Sequence, residues 1–340
     1  MYMKNNKSPF LAVICLLLSV VSCSKTEIQK EPKAQNEIGL FAYLDGFKPS
    51  KADPELSGSS LGTDNDYVIY VAASAEGSPK YFDPDAASFG GHLFAYFTDG
   101  AKWFPAAGSG PYTKQHIYWP FGGVKVDFLA CALTPAAKDA LSPTFHSDTH
   151  AREFKITNWN TFANQFDVMY AVANGCVPGT DGNVALAFKH TQALLAFTAK
   201  KSATTTVDLT INKITIRDLE YQGTLTVDNY RANLNTYWTI TAHADKDLSS
   251  AEGIADFPYT LNSTATQLTT NLLIPEQSAK QIVINYSMGG KTFDYELNIP
   301  RTIWKMGKKY IFNLEFSAAE VTLTTSVDDW DEIVDNEQIG

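Results

Sequence analysis

The sequence has 340 residues, 44% hydrophobic and 12% aromatic, enough to bury a sizeable core and to exclude a wholly disordered chain. Its 27 Lys+Arg stand against 37 Asp+Glu, and the resulting net charge of −10 excludes the clustered basic surface that a nucleic-acid binder needs. The length suggests two domains, and a charged fraction of only 19% with plentiful Thr, Tyr and Phe fits a strand-rich extracellular protein.

Lys4 and Lys7 make a positive start, and Phe10 to Val21 form an apolar run of twelve residues, too short to cross a bilayer as a helix. The pattern predicts a secretory signal over residues 1–22. It ends in Val20-Val21-Ser22-Cys23, which resembles a bacterial lipobox: cleavage between Ser22 and Cys23 leaves Cys23 as an acylated first residue. Each buried methylene of an acyl chain contributes about 0.8 kcal/mol, so two or three chains hold a soluble domain on a membrane. Cleavage removes two lysines and no acid, which takes the net charge from −10 to −12. No later apolar run approaches transmembrane length, so lipid is the expected anchor. Cys15 leaves with the signal, and Cys131 and Cys176 remain. They either pair in an oxidising compartment, or Cys131 serves as a small hydrophobe within Phe128–Leu133; the residues leave both readings open.

Residues 23–37 are polar, rich in Lys, Glu and Gln, and read as a flexible tether. Ile38–Leu44 predicts a first strand, followed by a Pro/Ser/Gly/Asp loop over 45–66. Further strands are expected at 67–73, 92–98, 116–121, 124–133, 166–174 and 184–198, with a hairpin signal at Asp181-Gly182. Pro135–Leu141 carries a short helical signal. From Thr206 a second set begins, in which Val207, Leu209 and Ile211 alternate and the parity slips to Ile214 and Ile216, as a bulge at Asn212-Lys213 would produce. Gly289-Gly290 separates Ile282–Tyr286 from a strand that places Phe293, Tyr295, Leu297 and Ile299 on one face, a half-buried hairpin. Tyr310, Phe312, Leu314 and Phe316 alternate likewise, as do Val321, Leu323 and Val327. The pattern predicts an all-β protein of two tandem β-sandwiches, over 38–200 and 201–340.

No motif match supports catalysis, a metal or a cofactor. Gly58-Ser59-Ser60-Leu61-Gly62 has the spelling of a nucleophile elbow but lies in a polar loop without the required strand and helix. Gly290-Lys291-Thr292 looks like the end of a phosphate loop, yet Asn285 stands where an earlier Gly is needed. His146 and His150 with Asp148 offer a metal two imidazoles and a carboxylate but no further ligand. The acids Asp64, Asp66, Asp83 and Asp85 lack the Gly and terminal Glu of a calcium loop, and nothing selects a carboxylate pair for glycoside hydrolysis.

Several segments together resemble the fimbrillin-like (major and minor fimbrium, type V pilin) lipoproteins of Bacteroidia. Behind the lipobox and first strand come Tyr118-Trp119-Pro120 with Val126–Ala130, then Phe166–Ala171 followed by Val184–His190, and Ile216–Gly223. Leu273–Gln277, Trp304, Gly307-Lys308-Lys309-Tyr310 and Val327-Asp328-Asp329-Trp330 complete the order.

The resemblance implies two transthyretin-like sandwiches and a fimbrial or adhesion subunit, carried to the outer membrane as a surface lipoprotein. Its partners would be other fimbrial subunits and a host or bacterial surface receptor. In that family a protease clips after the first strand and a neighbour's donor strand fills the vacated groove by main-chain pairing and alternate side-chain pockets. On this reading the replaceable strand is Ile38, Leu40, Phe41, Ala42, Tyr43 and Leu44, with either Leu40 and Ala42 or Phe41 and Tyr43 plugging the groove. The donor is the strand of Val321, Leu323 and Val327. Polymerising relatives are cut at an Arg; here the loop offers only Lys48 and Lys51, and the first Arg is Arg152. A protease of other specificity, or an uncut anchor, tip or accessory role, follows. The alternative is a stand-alone surface lipoprotein that binds glycan through Trp103, Trp159 or Trp238.

Overall fold

The computed structural model describes residues 36–45, 67–75, 81, 92–98, 102–108, 111–141, 143–147, 152–179, 182–230, 233–249, 254–269, 271–299, 301–318 and 320–329. Among the described residues, apart from one helix, α1 (Pro135–Leu141), and one 3-10 turn, Phe121–Gly123, the regular structure is strand. In chain order come β1 (Gly39–Leu44), β2 (Val68–Ala75), β3 (His92–Phe97), β4 (Lys102–Ala107), β5 (Thr113–Lys114) and β6 (Val126–Leu133). Next are β7 (Thr144–Ser147), β8 (Arg152–Asn160), β9 (Met169–Cys176), β10 (Asn183–His190) and β11 (Ala193–Lys201). The long strands β12 (Leu209–Tyr230) and β13 (Asn233–Leu248) precede β14 (Tyr259–Thr260), β15 (Thr266–Gln267), β16 (Leu272–Ile274) and β17 (Gln277–Ser278). The chain closes with β18 (Ile282–Met288), β19 (Lys291–Glu296), β20 (Ile303–Trp304), β21 (Lys308–Phe316) and β22 (Val321–Asp329).

The first sheet runs β1-β10-β9-β6-β2-β3-β4-β5, and a further pairing of β1 with β4 closes it on itself. A second sheet runs β19-β18-β12-β8-β7, with β13 and β14 also on β12. A third runs β15-β11-β21-β22, with β16 on β11. Strand pairing crosses the middle of the chain: β7 and β8 join the sheet of β12, and β11 pairs with the late strand β21.

Three apolar clusters fill the space between these sheets, and β6 and β11 are among the strands that serve two of them. In β6, Val126, Phe128, Ala130 and Ala132 enter one cluster while Leu129, Cys131 and Leu133 enter the next. In β11, Leu194 and Ala196 share that middle cluster, and Ala193, Leu195, Phe197 and Ala199 face the last one. Positions covered on both faces must be apolar, which is why Phe128–Leu133 and Ala193–Phe197 read as continuous hydrophobic runs. Pro135–Leu141 forms the expected helix and lays Ala137 and Leu141 over the middle cluster. Its first turn is capped, the Thr134 hydroxyl accepting from the Ala137 amide at 3.2 Å.

The expected bulge appears as a register shift between Ile211 and Lys213 against β18. The Gly289-Gly290 hairpin also forms, both glycines at positive φ, but Phe293 on its apolar face is 38% exposed. Two expectations differ from the structure. The segment 116–121 makes a single bridge at Tyr118 and then turns, because Pro120 cannot donate to a ladder. The expected strand 184–198 is two strands, broken at Thr191-Gln192 as the chain leaves the first sheet for the third.

Candidate functional site

The structure embeds β1 in the first sheet. All six residues pair in parallel with β10, from Gly39 opposite Asn183 to Leu44 opposite Phe188, and Leu40 lies opposite Trp103 of β4. Ile38, Leu40 and Ala42 are buried, at 0%, 0% and 3% exposure, while Phe41, Tyr43 and Leu44 are half-buried. Of the two parities the sequence allowed, Leu40 and Ala42 therefore fill the interior. Phe41 faces the other way, under the Lys102 ammonium at 5.4 Å from its ring centre. Gly39 sits at a close approach: a Cβ there would stand 2.8 Å from Asn183 Oδ1 and 3.3 Å from the Phe104 ring, so both side chains would have to shift.

Both ends of the strand are held. Before it, the Ile38 amide donates to the Ile117 carbonyl at 2.8 Å and the Trp119 amide to the Asn36 carbonyl at 2.9 Å. The Glu37 carboxylate meets Lys114 at 3.4 Å and His116 Nδ1 at 2.9 Å. Trp119 is buried and donates from Nε1 to the Gly182 carbonyl at 2.7 Å, which fixes the segment against the start of β10. After the strand, the Asp45 amide donates to the Phe188 carbonyl at 2.7 Å, and its carboxylate meets Lys189 at 3.1 Å. That carboxylate hydrogen bond raises the Lys189 ammonium above its ordinary pKa. Sequence reasoning missed this clamp of Glu37, Lys114, His116 and Lys189. Its one visible signal was Tyr118-Trp119-Pro120, whose bridge to Glu37 is a tertiary contact.

The far end of β1 opens into a polar cleft of about 530 Å³, where Asp45 and Lys189 meet His190, Lys305, Lys308 and Asp329. His190 is 7% exposed and bonded to Asp167 at 2.8 Å. Lys308 pairs with Asp329, the last residue of β22. The last residue of β22 and the residue following β1 thus line one cleft, with their carboxylates each matched by a lysine.

β22 pairs with β21 along its whole length, from Val321 opposite Phe316 to Asp329 opposite Lys308, and forms an edge of its sheet. Val321 is buried, Leu323 half-buried and Val327 56% exposed. Trp103 and Trp159 are buried, at 2% and 0% exposure, so neither is the exposed platform that glycan binding would use. Trp238 packs edge-on against Trp159 at 5.2 Å and donates to the Thr191 carbonyl at 2.8 Å.

Cys131 and Cys176 are free thiols rather than a disulfide. Burial pushes both thiol pKa values up, Cys131 the more strongly. His146 lies in β7 opposite Glu153. Among the described residues no group of three or more His, Cys, Asp or Glu is placed to hold a metal. Ser22, Cys23, Lys48, Lys51, the Gly58–Gly62 motif, Asp148 and His150 lie outside the described residues.

The pattern of the fimbrillin-like family matches residues 33–330. None of the curated proteins matches the chain. Among solved structures, a fimbrial protein from Bacteroides vulgatus superposes with a TM-score of 0.55 at 12% identity, covering 87% of this chain and 99% of that one. A candidate cell adhesion protein from Bacteroides uniformis superposes at 0.51 with 16% identity, over 87% of this chain and 99% of its own. At these identities the two structures share the all-β fold. The family match spans most of the sequence, its members are fimbrial subunits rather than enzymes, and the chain belongs to the fimbrillin-like family.

Proposed function

We propose that this member of a fimbrial and cell-adhesion family is a surface subunit that joins its neighbours by strand addition, with β1 as the strand that is replaced. The observation that carries this is the seating of β1, six parallel pairs with β10 and three inward residues, Ile38, Leu40 and Ala42, in one continuous slot. Emptying that slot exposes apolar side chains and a row of unpaired amides and carbonyls at once. Burying an Ile or Leu is worth about 1.5–3 kcal/mol, so a replacement strand with the same alternation has a strong driving force. β22, with Val321, Leu323 and Val327, is the donor in this reading. We read the chain as two sandwich halves about residue 200, with β7, β8 and β11 lent to the second by the sequence before it.

The lipobox reading makes Cys23 the acylated first residue, so that the subunit reaches the outer membrane as a lipoprotein. A cut after Lys48 or Lys51 would release β1 together with the anchor. Sequencing the N-terminus of protein sheared from the cell surface tests both steps. A start after Lys48 or Lys51 supports the replaceable strand, whereas an acylated Cys23 start in assembled material overturns it.

A further inference from the structure

β1 and β22, with the residue or residues flanking them, carry one pattern. Aligned without a gap, Glu37, Ile38, Leu40, Ala42, Leu44 and Asp45 correspond to Glu320, Val321, Leu323, Thr325, Val327 and Asp328. Both segments open on Glu and close on Asp, and both set aliphatic, Leu, small and aliphatic residues on alternate positions between the acids.

In the first segment each of these positions has a defined setting. Ile38, Leu40 and Ala42 are buried in one cluster, and Leu44 packs against it. Glu37 meets Lys114 and His116 at one end of the slot, and Asp45 meets Lys189 at the other. Eight strand steps separate the two acids, about 26 Å. In the second segment the same side chains are poorly used. Val321 is buried, but Leu323 is half-buried, Thr325 exposed and Val327 56% exposed. A cut after Lys48 or Lys51 would carry off Glu37 and Asp45 with β1 and leave Lys114, His116 and Lys189 at the two ends of an empty slot.

We propose that β22 of a second copy of this chain enters that slot parallel to β10, in the register that sets Glu320 in the place of Glu37 and Asp328 in the place of Asp45. This rests on β1 being the strand that is replaced. The register brings Leu323 to the place of Leu40, opposite Trp103, and buries Val321 and Val327 where Ile38 and Leu44 lay. A slip of one residue turns all of these outward. A slip of two sets Glu320 at the buried Gly39 or Asp329 at Leu44, away from the cations. A reversed strand also keeps an acid at each end, but it puts Thr325 opposite Trp103 and forces Leu323 into the smaller space of Ala42. The end pairs are partly in water, the Asp45 and Lys189 side chains 48% and 51% exposed, so the charges select register and direction more than they add strength. Thr322 in the place of Gly39 requires the Asn183 and Phe104 side chains to shift.

The test is cysteine crosslinking in cells that coexpress two full-length chains, one with Ala187→Cys and the other with a single new cysteine in β22, both also carrying Cys176→Ser. Ala187 lies opposite Tyr43, so in this register it faces Ser326 of the entering strand. Under mild oxidation Ser326→Cys is expected to give a two-chain product in severalfold higher yield than Thr322→Cys, Thr324→Cys or Asp328→Cys, because a disulfide needs Cα atoms within about 7 Å. A product favoured at Thr324→Cys or Asp328→Cys marks a slipped strand, and one favoured at Thr322→Cys a reversed strand. Either overturns the register and leaves strand addition standing. No two-chain product from any of the four removes β22 as the donor to a second copy, and this register with it. A chain carrying both Ala187→Cys and Ser326→Cys that links only to itself assigns the slot to its own β22 and also overturns the proposal.

Discussion

Leu40 of β1 lies directly opposite Trp103 of β4, and both are buried. That contact joins β1, at one end of the strand order, to β4, next to the other end, and closes the first sheet. The interior at this point is held by one leucine of a six-residue strand against one tryptophan of another. β1 is therefore the seam of the sheet, and most of its contribution should rest on the residues that face inward.

Leu40→Ala is expected to cost about 2–5 kcal/mol, the range for deleting a buried leucine, with the cavity opening against Trp103. Phe41→Ala on the outer face should cost clearly less, since that ring is already half in water. Urea unfolding of the two variants side by side measures the difference. Equal losses would mean that the inward parity of β1 does not govern its hold.

Gly182 and Gly289 both sit at positive φ, at +74° and +58°, but in different surroundings. A Cβ on Gly182 would collide with the Glu37 carbonyl oxygen, while one on Gly289 meets nothing within 4 Å. Gly289→Ala should cost about 1–2 kcal/mol from backbone strain alone. Gly182→Ala should cost more, because the start of β1 must also move. Thermal midpoints of the two variants decide it.

His92 is held below its ordinary pKa by burial, which favours the neutral ring in the folded state. The unfolded chain then binds more protons once pH falls below about 6.5, so this residue's contribution is present above that pH and declines beneath it. The denaturation midpoint should fall between pH 7 and pH 5, and His92→Phe should lessen the fall. An identical pH dependence in the variant would remove His92 from the account.

The two thiols should differ in reactivity. Cys131 is wholly buried with its pKa raised by desolvation, whereas Cys176 is half-buried with a smaller environment change. In the folded protein at pH 8, iodoacetamide should modify Cys176 slowly and leave Cys131 intact, because the thiolate is the reacting form. Denaturant should expose both. Mass spectrometry of the labelled chain reads the order directly.

Much of this architecture was written in local pattern. The alternation of Ile38, Leu40 and Ala42, of Tyr310 to Phe316 and of Leu209 to Ile211 states which strands exist, and the parity slip at Asn212-Lys213 announces its bulge. Each is a relation between neighbours in the chain, where period-two geometry alone decides the face. β6 and β11 were legible as strands but not as partitions between two cores, because a strand buried on both faces shows no alternation to interpret. The 22-residue length of β12 and the existence of β13 were missed for a related reason: an edge strand half in water mixes Thr, Asn and aromatics without a clean period.

What the sequence determined by itself was an acidic, exported, all-β chain whose first strand is apolar on alternate residues. What only the tertiary structure decided was partnership. That β1 lies parallel to β10 rather than against a sequence neighbour, and that Glu37 is gripped by Lys114 and His116, depend on contacts between residues far apart in the chain. Side-chain period specifies which face of a strand is buried, but the backbone hydrogen bonds that choose its neighbour are the same for every residue, so the choice is made only when the whole core packs.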